Sequence, residues 1–256
     1  MSWSAAQYSK FEAERTRPVR DLLRAVPAHD VTTAIDLGCG PGNSTEVLVD
    51  MFAKATISGL DNSADMIAAA RKRLPKVDFA CAALADWQPK QRYDLILSNA
   101  VLHWVPDHAA LFPRLVSQLT EGGSLAVQMP HNMAQPSHRI MCAIAGSENW
   151  SHKLNAEMAH RTLVEDVSWY YELLSPLCAR VDIWTTTYYH HLTEGVDGIV
   201  EWFKGSALRP FLEALDDQEQ SKFLAEYRTK IAEAYPALSD GSVLLPFPRR
   251  FIVATR

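Results

Sequence analysis

Short apolar runs alternate with stretches of helical spacing along the first half of the chain. Apolar runs bounded by turn residues are typical of buried strands, whereas apolar residues that recur every three or four positions are typical of amphipathic helices. The predicted strands cover residues 34–37, 55–60, 77–82, 93–99 and 124–129. Because strand and helix alternate repeatedly, the pattern predicts a parallel sheet with right-handed crossovers, which is the doubly wound α/β class.

The second half of the chain is mostly helical in pattern and adds two strands. The pattern predicts these two strands over residues 180–191 and 248–255. It predicts helices over residues 130–178 and 195–243. Helical insertions at the carboxyl edge of such a sheet cover its ligand crevice. We therefore expect a single domain over residues 1–256, with a seven-stranded, mostly parallel sheet, N-terminal helices over 1–26 and two helical cap insertions.

Single residues mark several element boundaries. Pro18 predicts a helix start, because proline is tolerated at the first position of a helix. Ser63 is a favourable N-cap for the helix after the second strand, and Asp107 is one for the helix after the fourth. The pair Gly122-Gly123 predicts a turn that leads into the fifth strand.

The first predicted strand runs into the segment Asp36-Leu37-Gly38-Cys39-Gly40-Pro41-Gly42-Asn43. Glycines at alternate positions let the backbone turn sharply and let a ligand lie against the main chain. A dinucleotide site has the spacing G-x-G-x-x-G, whereas the spacing here is G-x-G-x-G. The acidic Asp36 disfavours a phosphate and suits a cationic amine. A tight turn without a ligand is the alternative interpretation.

A second acidic residue, Asp61, ends the next apolar strand. It follows the glycine turn by about twenty residues, the distance at which nucleotide sites place the carboxylate that binds ribose. A carboxylate can accept hydrogen bonds from both ribose hydroxyls. An exposed aspartate at a strand end is the alternative, but the two features together are more specific than either alone.

The segment from Asp36 to Asn43 resembles motif I of the class I S-adenosylmethionine-dependent methyltransferases, which have a Rossmann-like fold. The resemblance implies S-adenosylmethionine as the cofactor, with its methionyl part at motif I and its ribose on Asp61. In this family an acid after the third strand usually binds adenine; Ala83 stands there, and Asp86 is the expected substitute. The implied cofactor-binding residues are Asp36, Gly38, Gly40, Gly42, Asp61, Asn62, Met66, Asp86, Trp87, Asn99 and Trp104.

The loop over residues 99–107 follows the fourth strand and lies near the methyl donor in this family. His103 is a candidate base or orienting group, and a hydrogen-bonded loop histidine is the alternative. Trp104 is a candidate for a cation–π contact with the sulfonium, or it simply packs against the protein. Methyltransferases that modify nucleic-acid bases often carry Asn-Pro-Pro-Tyr or Asp-Pro-Pro-Tyr here, and this chain does not.

Charge and cysteine spacing narrow the classes of partner. The formal net charge is −5, and no stripe of Lys and Arg is interleaved with aromatics, so nucleic acid is disfavoured. No apolar run reaches the length of a membrane span, and the N-terminus does not read as a signal peptide. The scattered cysteines predict reduced thiols, a cytoplasmic protein and no metal site. They are Cys39, Cys81, Cys142 and Cys178.

Further segments, spread over nearly the whole chain, are similar to the trans-aconitate 2-methyltransferases. They cover residues 3–18, 99–108, 201–211 and 245–251. This resemblance implies methyl esterification of one carboxylate of trans-aconitate. A carboxylate is ionised at neutral pH, so no catalytic base is required. Three substrate carboxylates need cationic partners, which arginine provides well. The implied substrate-binding residues are Tyr8, Arg17, Tyr189, Arg209 and Arg250.

Three other functions stay open at the level of the sequence. An NAD-dependent oxidoreductase would use the same strand, turn and Asp61, but the G-x-G-x-x-G spacing is missing. A methyltransferase acting on the oxygen or nitrogen of another small molecule would need a base such as His103. A non-catalytic module would bind the cofactor and use its helical segments to contact a partner.

Overall fold

The computed structural model describes residues 12–27, 30–89, 91–159 and 164–256. The chain divides into two compact units. Of the described residues, the first unit takes in those up to Pro130 together with 164–186 and Arg250–Arg256, and the second takes in 131–159 and Thr187–Arg249. No helix in the described part of the chain is both long and apolar enough to cross a membrane.

Alternating apolar runs form the strands predicted from the sequence. They are β1 Thr33–Leu37, β2 Thr56–Asp61, β3 Asp78–Cys81, β4 Tyr93–Asn99, β5 Leu119–Pro130, β6 Arg180–Leu192 and β7 Val243–Thr255. They form one sheet in the order β3-β2-β1-β4-β5-β7-β6. The five strands from β1 to β5 pair in parallel. Parallel neighbours place their carboxyl ends at one edge of the sheet.

The strand β7 runs against the direction of the others. It is antiparallel to β5, since Gly122 pairs with Arg256 at one end and His131 pairs with Pro248 at the other. Strand β6 is antiparallel to β7, because Trp184 and Thr185 contact Phe251 and Arg250, whereas His190, later in β6, contacts Phe247, earlier in β7. Strand β6 is therefore parallel to β5. The doubly wound, mostly parallel, seven-stranded sheet expected from the sequence is confirmed.

Helices connect the strands and form most of the second unit. They are α1 Glu12–Arg24, α2 Asn43–Met51, α3 Ala64–Arg73, α4 His108–Ser117, α5 Pro136–Ala145, α6 Ser151–Ala159, α7 Val167–Leu174, α8 Val196–Lys204, α9 Arg209–Glu213 and α10 Asp217–Ala234. The predicted caps are confirmed: Ser63 accepts the Met66 N–H, and Asp107 accepts the Ala110 N–H. That the helical segments form a cap within one domain stays a prediction.

The prediction that a helix starts at Pro18 was wrong. Helix α1 runs through Pro18, which lies inside it. A proline in a helix removes one hydrogen bond and crowds the preceding turn. Here the buried residues Val19, Leu22 and Leu23 offset that loss, because α1 packs against α2 and β5.

The predicted turn at Gly122-Gly123 is also wrong, because both glycines lie within β5. Tyr93 of β4 pairs with Leu119, but Leu95 already pairs with Ser124. Between these two pairs the chain advances by two residues in β4 and by five residues in β5. The extra residues form a bulge, in which Gly122 has a φ of +76°. A bulge of this kind lets the strand continue, so β5 begins earlier than the glycines indicate.

The core of the first unit fixes the strands that carry the candidate site. Phe112 and Leu115 of α4 are buried together with Tyr170 and Leu174 of α7 and with strand residues such as Ile96. Burying one Leu or Phe side chain contributes about 1.5–3 kcal/mol. Because this packing covers one face of the sheet, it holds the carboxyl ends of the central strands in place.

Candidate functional site

Three central strands bring the predicted cofactor residues to one edge of the first unit. β1 lies between β2 and β4 and is parallel to both. In register, Asp36 is level with Gly59 on one side and Leu97 on the other. The last residues of β2 and β4, Asp61 and Asn99, therefore lie on either side of the glycine turn that follows β1. This edge is where doubly wound sheets bind ligands.

The turn after β1 needs glycine because its backbone has positive φ values and because Gly38 leaves no space for a side chain. Gly38 has a φ of +73°, and a Cβ there would lie 2.2 Å from Cγ2 of Val101. Gly40 has a φ of +53°, but nothing lies within 4 Å of where its Cβ would be. Gly42, with a φ of +89°, is the N-cap of α2. The backbone at Gly40 therefore faces open space, which a ligand can occupy.

The backbone N–H groups of this turn are already used within the protein. Gly38 and Cys39 donate to the carbonyl of Leu60, at 2.7 and 2.9 Å. Gly40 donates to the Asp61 carboxylate at 2.9 Å, and Gly42 donates to the Cys39 carbonyl at 3.0 Å. Since proline has no N–H, no donor of residues 38–42 is left for a phosphate. Residues 38–42 therefore offer a diphosphate no N–H donor of their own.

Asp61 holds the turn and retains capacity for a ligand. One carboxylate oxygen accepts the Gly40 N–H and the other accepts the Ser63 N–H, both at 2.9 Å. An ionised carboxylate has about four acceptor positions, so about two remain. Asp61 is half-buried. These remaining positions suit the two hydroxyls of a ribose.

Asp36 is fully buried and only half satisfied. Its Oδ2 accepts hydrogen bonds from the hydroxyls of Ser44 at 2.6 Å and Thr45 at 2.7 Å, while its Oδ1 has no hydrogen-bond partner. Burial raises the pKa of Asp36 to about 6, against the effect of the two hydroxyls and with a further contribution from the charge of Asp61. The Oδ1 atom of buried Asn99 also has no partner. Buried acceptors without partners fit a ligand that carries a cationic amine.

The residues expected around adenine occupy different environments. Asn62 is exposed, whereas Met66 is buried. Asp86 is exposed and ends the short 3₁₀ helix Leu84–Asp86. The Trp87 ring is 8% exposed and belongs to the core, 6.1 Å from the ring of Tyr93. Asp86 is therefore open to a ligand, whereas Trp87 offers one only a small part of its surface.

The loop after β4 is held in a constrained conformation. Ala100 and Asp107, near its two ends, have left-handed φ values of +57° and +56°. Between them lies the 3₁₀ helix Leu102–Trp104. His103 is half-buried with its ring centroid 4.8 Å from that of Trp104, which is 46% exposed. Strained backbone of this kind is common beside functional sites.

Tyr8, one of the predicted substrate residues, lies outside the described residues. Arg17 on α1 is exposed and lies 4.0 Å from Asp21. Arg250 is 4% exposed and donates to the Thr185 hydroxyl and the Glu165 carbonyl, at 3.1 and 3.3 Å. Burial lowers the pKa of Arg250. A pocket of about 760 Å³ beside it is lined by Asp166, Val167, Ser168, Tyr171, Val181, Asp182 and Ile183.

The second unit carries the other two predicted substrate residues. Tyr189 on β6 is 66% exposed. Arg209 begins α9 and pairs with Glu213 at 2.6 Å. An anionic ligand at Arg209 would therefore have to share it with a carboxylate of the protein.

Sequence reasoning missed two residues of α4 that contact the loops of the site. His108 contacts the carbonyl of Leu102, and Arg114 donates to carbonyls of the segment 84–87. The basic residue in the last turn of α4 was a visible signal, but its carbonyl partners were not. Among the described residues, no group of three His, Cys, Asp or Glu side chains could hold a metal ion.

Comparison with known proteins agrees with this geometry. A family model described as a methyltransferase domain matches residues 34–123. A trans-aconitate 2-methyltransferase of Methylobacterium nodulans is 52% identical over 99% of this chain and 98% of its own length. One of Rhodopseudomonas palustris is 50% identical over 99% of both chains, and one of Agrobacterium fabrum is 48% identical over the full length of both.

Solved structures share the fold at low sequence identity. A phosphoethanolamine N-methyltransferase of Haemonchus contortus, in complex with S-adenosylhomocysteine, matches with a TM-score of 0.56 and 15% identity over 94% of this chain and 52% of its own. The YcgJ protein of Bacillus subtilis matches with a TM-score of 0.59 and 11% identity, over 94% of this chain and 98% of its own. On its full-length relatives, the chain belongs to the family of the trans-aconitate 2-methyltransferases, which are S-adenosylmethionine-dependent enzymes.

Proposed function

We propose that the protein methylates one carboxylate of trans-aconitate, with S-adenosylmethionine as the donor, and releases the monomethyl ester. The observation that carries the proposal is that trans-aconitate 2-methyltransferases are 48–52% identical to this protein over nearly the whole chain. The geometry of the glycine turn supports the same cofactor. A turn whose N–H groups are internally bonded, next to buried carboxylate and amide acceptors, suits a cationic amine better than a diphosphate.

Different residues of the first unit bind different parts of the cofactor. Asp36 and Asn99 supply buried acceptors for the amine, and Gly40 leaves room for the chain of the amino acid. Asp61 accepts from the ribose, and Asn62, Met66 and Asp86 lie on the adenine side. When bound, S-adenosylmethionine supplies a methyl group that the sulfonium has already activated. The protein has to align the acceptor with it and exclude water.

A carboxylate acceptor explains why the site needs no general base. Carboxyl groups with ordinary pKa values near 4 are ionised at neutral pH. His103 then acts as an orienting group on the loop after β4, next to Trp104. A phenol or amine acceptor would instead need His103 to remove a proton.

Cationic side chains would bind the remaining carboxylates of the acceptor. The candidates in the first unit are Arg17 and Arg250. In the second unit they are Arg209 and the hydroxyl donor Tyr189. Arg17 and Arg209 each pair with an acidic residue of the protein. The acceptor would therefore compete with an existing ion pair at either site, which favours a ligand with several negative charges.

The acceptor is a small molecule, and we propose a cytoplasmic location for the protein. Cys39, Cys81, Cys142 and Cys178 form no disulfide bond. A chain with a net charge of −5 does not favour binding to nucleic acid.

Transfer of a radiolabelled methyl group to a panel of acceptors tests the proposal. The panel contains trans-aconitate, cis-aconitate, citrate, a dicarboxylic acid, a phenol and an amine. We expect label in trans-aconitate above all others, in a product that alkali hydrolyses as an ester. Label in the phenol or amine alone, or in none of the compounds, would reject the proposal.

Calorimetry separates this function from that of an NAD-dependent oxidoreductase. We expect S-adenosylhomocysteine to bind and NAD not to bind, because residues 38–42 have no N–H to offer a diphosphate. Binding of NAD without binding of S-adenosylhomocysteine would favour the oxidoreductase.

A further inference from the structure

We propose that helix α4 positions both loops of the cofactor site, His108 holding the loop after β4 and Arg114 holding the segment after β3. The inference deepens the proposed function and rests on it, because it assigns roles toward the same cofactor. Both residues act through backbone carbonyls of the loops. They are therefore positioning residues rather than catalytic ones.

His108 is 5% exposed and bonded on both sides of its ring. Its Nε2 lies 2.9 Å from the carbonyl oxygen of Leu102, and its Nδ1 lies 2.7 Å from the hydroxyl of Tyr170. A carbonyl only accepts, so these partners assign the hydrogen to Nε2. In the neutral ring Nδ1 then accepts from the tyrosine. His108 thus fastens the first residue of the 3₁₀ helix that carries His103 and Trp104.

Tyr170 completes the arrangement, because its hydroxyl can donate to Nδ1 once the Leu102 carbonyl has placed the hydrogen on Nε2. It is fully buried on α7, and its ring packs 5.1 Å from that of Phe112, which in turn lies 5.2 Å from the ring of His108. Burial raises the pKa of Tyr170 to about 12, so its hydroxyl keeps the proton that it donates. The three rings form a rigid support behind the loop.

Arg114 holds the other loop with its guanidinium fork. Its Nη2 donates to the Leu84 carbonyl at 2.8 Å, and its Nη1 donates to the carbonyls of Ala85 and Trp87 at 3.3 and 3.4 Å. These carbonyls belong to the 3₁₀ helix that carries Asp86 and to the residue after it. Lysine cannot reproduce this set of bonds, because a single ammonium lacks the planar fork.

The two contacts make separable predictions. The loop with Trp104 lies at the end of β4, on the side of the methyl donor, so its position affects the transfer step. The segment with Asp86 lies on the adenine side, so its position affects the affinity for the cofactor. Helix α4 would thereby affect kcat through His108 and the affinity for the cofactor through Arg114.

Variants of each residue, measured by calorimetry and steady-state kinetics, test the inference. Arg114→Lys is expected to weaken S-adenosylhomocysteine binding by about tenfold or more, with kcat at saturating cofactor little changed. Tyr170→Phe and His108→Ala are expected to lower kcat by about tenfold with little change in that affinity, and His108→Gln is expected to restore part of kcat. Nuclear magnetic resonance of the free protein should show the His108 hydrogen on Nε2.

Two matched variants separate positioning from a general loss of stability. Arg256 also donates to backbone carbonyls, those of Leu119 at 2.8 Å and Ser117 at 3.5 Å, but at the opposite edge of the sheet. Arg256→Lys should leave S-adenosylhomocysteine binding unchanged. Tyr227→Phe removes the hydroxyl of another fully buried tyrosine, which donates to the Ser137 carbonyl, and its effect on melting temperature is the reference for Tyr170→Phe.

The outcomes distinguish this inference from the proposed function. Unchanged affinity in Arg114→Lys, equal loss in Arg256→Lys, or a His108 hydrogen on Nδ1 would overturn the inference alone. Wild-type protein that does not bind S-adenosylhomocysteine would overturn the proposed function and the inference together.

Discussion

The carboxylate of Asp61 accepts the backbone N–H of Gly40 across 2.9 Å, which joins the end of β2 to the turn that follows β1. The two residues are 21 positions apart in the chain. Asp61 is therefore part of the turn as well as a candidate ribose ligand. A substitution of Asp61 therefore alters both the hydrogen bond that holds the turn and the candidate contact with ribose.

Asp61→Asn should weaken S-adenosylhomocysteine binding by about tenfold or more, since its one amide oxygen can replace only one of two charge-assisted bonds. Calorimetry measures this. Asp94→Asn is the matched control, because the Asp94 carboxylate also accepts backbone N–H groups, from Thr32 and Thr33 at the amino end of β1. That variant should lower the melting temperature without changing affinity. Equal affinity losses in both variants would contradict the assignment of Asp61.

Gly40→Ala and Gly122→Ala form a matched pair. Both glycines have a left-handed φ, +53° and +76°, and neither has an atom within 4 Å of an added Cβ. Each alanine should therefore cost about 1–2 kcal/mol of stability from its backbone conformation. Only Gly40→Ala should also block cofactor binding, because its methyl group enters the space against the turn. Thermal melting with and without S-adenosylhomocysteine measures both effects, and normal binding by Gly40→Ala would show that the ligand lies elsewhere.

The pH dependence of binding should follow Asp36. Its pKa is raised from 3.8 to about 6 in the folded protein, so the folded state takes up a proton that the unfolded state releases. The free protein should therefore lose stability as pH rises from about 4 to about 6. A cationic amine favours the ionised carboxylate, so affinity for S-adenosylhomocysteine should rise over pH 5 to 7.

Calorimetry at pH 5, 6 and 7 measures this rise, which is at most about tenfold for each pH unit. Asp36→Asn removes the titrating group and should give a flatter profile. A rise of the same size in that variant would assign the pH dependence to another group.

His103→Ala should keep most of kcat with trans-aconitate, because an ionised acceptor needs no base. The expected loss is small and reflects the contact between the His103 and Trp104 rings. Measuring kcat between pH 6 and 9 gives the answer. Abolished transfer, restored at high pH, would mean that the acceptor carries a proton that His103 removes.

Arg209→Ala should raise the KM for trans-aconitate, with the loss of a charge-assisted hydrogen bond worth roughly 1.5–3 kcal/mol. Arg228→Ala is the control, since Arg228 is an exposed arginine of the same unit that pairs with Asp197. It should leave KM unchanged. If KM is equal in both variants and the wild type, Arg209 does not bind the acceptor.

Much of the fold was predictable from local patterns. The strands and the caps at Ser63 and Asp107 depend on residues within a few positions of one another. The errors at Pro18 and at Gly122-Gly123 arose where tertiary packing outweighed a local preference. In both cases a residue that usually ends an element was accommodated inside one.

By itself, the sequence determined the order of strands and helices, the glycine turn and the two aspartates beside it, because spacing and backbone sterics act over short stretches. Only the tertiary structure decided that Asp61 holds Gly40, that one oxygen of Asp36 has no partner, and that His108 meets Tyr170 from 62 positions away. Those relationships depend on which strands and helices become neighbours. Apolar periodicity shows which face of an element is buried but not which distant segment packs against it or bonds to it, so no local pattern could have shown these partners.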